Sequence, residues 1–96
     1  MDNQRYAVMH LYVSGRVQGV GFRFFVLNRA QRYGITGWVK NLHDGRVEIE
    51  AEGRVPNLHI FLKDMKSGPS MSHVSNVLEE WHEIAAPRYK DFSITY

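Results

Sequence analysis

The residues best placed to do chemistry lie in one stretch, Gly15-Arg16-Val17-Gln18-Gly19-Val20-Gly21-Phe22-Arg23. Its three glycines relax the steric limits on the backbone, so the segment can curl and aim several N–H groups at one point. Apolar alternation leads into the stretch and helical periodicity leaves it, which places a helix start near Gly21 or Phe22. The free amides and positive dipole end of that helix face the same point, and Arg23 adds a planar five-donor cation. A phosphate-like anion is the occupant this arrangement suits. An arginine in a first helical turn otherwise opposes the dipole, and a bound anion removes that conflict. Taken by itself, the glycine pattern fits a purely structural strand-to-helix turn equally well.

Other chemistries find less support. Cysteine is absent, which excludes disulfides, thiolate catalysis and sulfur metal sites. The five histidines, at 10, 43, 59, 73 and 82, form no HxxxH pair and no joint framework with acidic residues, so no metal and no organic cofactor is expected. His43 lies nearest the glycine stretch in the expected fold and is a candidate for tuning its pH dependence. Twelve basic residues are scattered among ten acidic ones for a net charge of +2, a balance that fits a small anionic ligand at least as well as a polymer.

The elements that must position these residues follow from periodicity. From Tyr6 to Ser14, Ala7, Met9, Leu11 and Val13 share one face of a strand. Phe22, Val26 and Ala30, widened by Leu27, mark a helix of about three turns closed by Gly34. A strand over Ile35–Leu42 meets the turn His43-Asp44-Gly45, in which Asp44 and Gly45 both tolerate positive φ. Val47, Ile49 and Ala51 then alternate with Glu48, Glu50 and Glu52, which predicts a core face and a solvent face. Pro56 opens a second helix striped by Leu58, Phe61, Leu62 and Met65, and Gly68-Pro69 stops it. Val74 and Val77 fall on opposite faces of any regular strand, so the segment His73–Ile84 requires a bulge or another register. Phe92, Ile94 and Tyr96 alternate in a short last strand.

Strand, helix, strand, strand, helix, strand describes an α+β fold, a ferredoxin-like split βαβ sandwich. Two helices cover one face of an antiparallel sheet of order 4-1-3-2, with a short extra C-terminal strand. Residues 1–96 are expected to make one domain around one core. Strands one and two run parallel in this arrangement, so the 15–21 loop, the first helix start and Asn41 share a rim. Arg23 and Asn41 come within reach of one bound ion. Asn41 alone reads as well as an Asx-turn residue before the hairpin.

GRVQGVGFR at 15–23 and GWVKNLHDGRVEI at 37–49 resemble the two signatures of the acylphosphatases, small enzymes that hydrolyse carboxylic-phosphoric mixed anhydrides. The resemblance extends through Glu52-Gly53, Gly68-Pro69 and the closing Phe-x-Ile-x-Tyr at 92–96, covering essentially the whole chain. Two departures are a short connection between Glu52 and Leu58 and the Met71-Ser72-His73 segment. The resemblance implies that Arg23 and the amides of Gly15 to Phe22 hold the substrate phosphate, and that Asn41 orients the attacking water. Asparagine suits that role because its oxygen accepts from water without setting a full negative charge against the phosphate. The departing carboxylate, with an ordinary pKa of about 4, needs no general acid.

The expected activity is therefore hydrolysis of acyl phosphates to carboxylate and inorganic phosphate. Gln18 reads as a brace for the loop rather than a ligand. Two alternatives stand beside this one: a small-anion-binding regulatory domain without turnover, and an RNA-binding module using His10 and Tyr12 on the open sheet face. The three glutamates of the third strand argue against the second. No segment approaches about 20 apolar residues, and Met1-Asp2-Asn3-Gln4-Arg5 lacks a leader-like apolar run, so a cytoplasmic monomer acting on a small molecule, with no membrane or nucleic-acid partner, is expected.

Overall fold

The computed structural model describes residues 5–96, so the reading of residues 1–4 as leader-free lies outside it. Among the described residues seven elements follow one another: β1 (Tyr6–Arg16), α1 (Phe22–Arg32), β2 (Thr36–Asn41), β3 (Val47–Arg54), α2 (Val55–Ser67), β4 (His73–Ile84) and β5 (Phe92–Ile94). They form one sheet of order β4-β1-β3-β2-β5, the expected split βαβ topology extended beyond β2 by the last strand. β3 is antiparallel to both β1 and β2, which makes those two parallel, and β5 is parallel to β2. The C-terminal ends of β1, β2 and β5 therefore meet on one rim.

The core lies between the sheet and its helices. Met9, Leu11 and Val13 of β1, Val39 of β2, and Val47, Ile49 and Ala51 of β3 meet Phe22, Val26 and Ala30 of α1 and Leu58, Phe61 and Met65 of α2. Each fully buried Leu, Ile or Phe contributes about 1.5–3 kcal/mol. The expected stripes of both helices are the buried ones. Gly34, with φ of 67°, follows α1 as its left-handed exit residue. β3 passes into α2 with no residue between them, which accounts for the short 53–57 connection. In the 70–73 segment, Ser72 turns back on the α2 exit, its hydroxyl donating to Pro69 O at 2.7 Å.

Three local expectations need correction. β1 runs to Arg16 rather than Ser14, because β4 is long enough to keep pairing with it. The pairing steps from Ser14–Asn76 to Gly15–Val74, leaving Ser75 as an extra residue. That bulge is the one β4 requires, for it lets Val74 and Val77 both pack against the core. In the β2–β3 turn only Gly45 takes positive φ, at 96°, and Asp44 does not. Gly45 N–H donates to Leu42 O and Leu42 N–H to Arg46 O, a three-residue hairpin loop with glycine in its bulge position.

The third correction concerns the outer face of β3. Glu52 is 0% exposed rather than solvated. Segment 85–91 crosses that face, and Glu52 accepts from Arg88 Nε at 2.6 Å and from the backbone amides of Arg88 and Tyr89 at 2.7 and 3.2 Å. Glu50 accepts from Tyr89 Oη at 2.6 Å and Arg88 Nη2 at 3.1 Å. His10 bridges Glu48 and Glu50 at 2.7 and 3.0 Å. Burial alone pushes the Glu50 carboxyl up, but bonds from Tyr89 and His10 and the charge of Arg88 outweigh it and hold the group below its ordinary range.

Candidate active site

The end of β1 and the loop after it are shaped by three glycines, for two different reasons. Gly15 has φ of +123°, and a Cβ there would lie 2.1 Å from His73 O of the paired strand. Only glycine lets β1 and β4 stay paired through the bulge. Gly19 and Gly21 have φ of +73° and +77° with open space around them, so backbone conformation alone demands glycine there. Val17 is buried and fixes the loop to the core. Gln18 turns its amide away from the loop and donates to Leu42 O at 2.8 Å and Arg46 O at 2.9 Å, the bracing role expected of it.

Gly21 precedes α1 and gives it no side-chain cap, and the first turn carries no acidic residue. Phe25 N–H makes the first helical bond, to Gly21 O at 3.1 Å, so the amides just before it lack intrahelical acceptors. The N-terminus of α1 is thus electropositive and open. Arg23 leaves it on the same side, in no ion pair among the described residues, with its guanidinium 5.1 Å from the ring centroid of Tyr96.

Asn41 reaches this point from the other direction. It is the last residue of β2, paired with Val47, and the parallel run of β1 and β2 carries it to the rim where the loop turns. Its Oδ1 is buried and has no hydrogen-bond partner among the described residues. Val17, Gly19, Gly21, Phe22, Arg23, Phe24 and Asn41 together line a recess of about 120 Å³.

The sequence-predicted residues therefore divide. Val17, Gly19, Gly21, Phe22, Arg23 and Asn41 come together at the recess, while Gly15 and Arg16 lie in β1, Gln18 points to the hairpin and Val20 packs against the core. His43 is exposed in the hairpin loop and does not line the recess. Phe24 and Tyr96 were not singled out for this rim. Tyr96 comes to this side because β5 pairs parallel to β2 and so ends beside Asn41.

Among the described residues no group of three or more His, Asp or Glu side chains is placed to hold a metal ion. No helix there is long and apolar enough to cross a membrane.

The acylphosphatase family model matches residues 9–94. An acylphosphatase of Bacillus velezensis is 48% identical over 88 residues, spanning 91% of this chain and 96% of that protein. The crystal structure of acylphosphatase from Bacillus subtilis superimposes with a TM-score of 0.89 at 41% identity, covering 94% of this chain and 99% of that one. An acylphosphatase structure from Coxiella burnetii gives a TM-score of 0.84 at 40% identity, covering 96% and 95%. With its strand order, its glycine loop and both signature segments in place, this chain belongs to the acylphosphatase family.

Proposed function

We propose that the chain hydrolyses acyl phosphates to a carboxylate and inorganic phosphate in the recess between the α1 N-terminus and the end of β2. The observation that carries this reading is the buried, partnerless Oδ1 of Asn41 in the same recess as Arg23. An unpaired buried oxygen costs about 1–3 kcal/mol, and a water donating to it recovers that cost at the position where a nucleophile is needed.

Arg23 and the free amides of the loop and first helical turn hold the phosphoryl oxygens. Asn41 accepts one proton of a water and directs its lone pair at phosphorus, in line with the scissile P–O bond. The loose transition state of phosphoryl transfer asks little nucleophilicity of that water and spreads charge over the three equatorial oxygens, which the guanidinium and amides compensate. The P–O bond breaks with its electron pair going to the acyl oxygen. Because the departing carboxylate is a weak base, it leaves without taking a proton. Nothing in this route calls on a metal ion or an organic cofactor. A monomer suffices, since the chain covers one sheet face with its own helices and part of the other with segment 85–91.

Phosphate release from benzoyl and acetyl phosphate in excess EDTA tests the reading. Release by the parent protein, with losses of about 100-fold or more in R23A and N41A, is expected. A folded parent that binds inorganic phosphate but releases none from either substrate would reduce the site to anion binding without turnover.

A further inference from the structure

We propose that Phe24 and Tyr96 form an acyl-recognition lip at the recess, which selects acyl phosphates whose acyl group is aromatic or extended and apolar over small or charged ones. The inference rests on the acyl-phosphate reading above and names the substrate class for it. The recess, at about 120 Å³, is lined by loop residues Val17, Gly19 and Gly21 with Arg23 and Asn41. These take the phosphoryl group and the attacking water, so the acyl group leads out past the recess margin.

In-line displacement sends the leaving carboxylate away from the water at Asn41. What it meets is decided by the side chains at the margin. Phe24 lines the recess yet is 67% exposed, and it takes part in no ring pairing among the described residues. Tyr96 is 91% exposed and keeps one contact there, with the Arg23 guanidinium at 5.1 Å. Of the other large exposed apolar side chains, Ile60, Met71 and Leu78, none lines the recess. Phe24 at the recess and Tyr96 against Arg23 thus present exposed rings beside the phosphate site, on the path by which the acyl half leads out. The lining residues include no carboxylate to pair with an aminoacyl ammonium, and an apolar acyl group gains from covering the rings.

Because the lip touches the acyl group equally before and during the reaction, it acts on KM rather than on kcat. The experiment compares benzoyl phosphate with acetyl phosphate for the parent, F24A and F24Y, with the inhibition constant of inorganic phosphate measured alongside. Expected in F24A is a rise of about 3- to 10-fold in the ratio of the benzoyl phosphate KM to the acetyl phosphate KM. F24Y, which keeps the ring, restores the parent value. Equal losses on both substrates in F24A, or an unchanged ratio between them, overturn the lip while leaving the hydrolase reading intact. A folded parent that turns over neither substrate overturns both.

Discussion

Gln18 Nε2 donates to Leu42 O at 2.8 Å, joining the glycine loop to the residue that follows Asn41. A second bond to Arg46 O at 2.9 Å reaches the other side of the hairpin. The two halves of the recess come from chain segments on different elements, and this side chain sets their separation.

Q18A removes both bonds, while Leu42 O and Arg46 O keep the hairpin N–H donors of Gly45 and Leu42, so the cost in stability is about 1 kcal/mol. Its larger effect falls on placement, since the water at Asn41 and the phosphorus at the loop are no longer held in register. A drop of about 10-fold in kcat with inorganic phosphate inhibition unchanged is expected. Parent-like kcat in a destabilised Q18A would make the bracing purely structural.

Asn41→Asp keeps the shape of the side chain and adds a negative charge beside the incoming phosphate. A loss of about 100-fold or more in kcat/KM is expected, with the protein still folded by circular dichroism. Arg23→Lys keeps the charge and loses the planar fork, so both turnover and inorganic phosphate affinity should fall. Steady-state kinetics with phosphate as inhibitor reads both effects.

Gly15→Ala places a methyl against the His73 carbonyl oxygen, a backbone atom that cannot move without parting β1 from β4. Gly19→Ala meets no atom within 4 Å and bears only the cost of its left-handed backbone, about 1–2 kcal/mol. Denaturant midpoints should therefore rank parent, then G19A, then G15A. The paired end of β1 in G15A should also lose amide-exchange protection, which G19A keeps.

Glu50 titrates below the ordinary carboxyl value of 4.5, because the bonds from Tyr89 and His10 and the charge of Arg88 overcome the effect of its burial. The folded state thus binds its proton less readily than the unfolded chain does. The resulting stability is complete above the unfolded value and is lost as pH falls through the folded one. Thermal midpoints should drop as the pH is lowered below about 4.5. E50Q should lower the midpoint at neutral pH and flatten this acid limb; an acid limb of parent steepness in E50Q would assign the titration to other carboxylates.

Much of this was legible in the residues because it is set by neighbours in sequence. Period two in β1 and β3, period 3.6 in both helices, and the stops at Gly34 and Gly68 each follow from side-chain spacing and backbone freedom within a few residues. The mismatch of Val74 and Val77 announced a bulge or another register, and the glycine loop with Arg23 announced an anion site. The whole-chain resemblance linked Arg23 to Asn41, though only the sheet order puts them in one recess.

Tertiary structure decided what alternation cannot express. Parity assigns Glu52 to the outer face of β3 but does not say what covers that face, and Arg88, 36 positions later, buries it. Parity likewise ends β1 where the apolar pattern ends, whereas pairing with β4 carries it to Arg16 and takes Gly15 out of the loop. Tyr96 reaches Arg23 only because β5 lies beside β2 and runs parallel to it. Sequence by itself determined the elements, their faces and the anion-binding chemistry of one loop, since these depend on local sterics and spacing. Which side chains share that loop's rim, and which charges are withdrawn from water, depended on contacts between segments far apart in the chain, and these exist only once the sheet has formed.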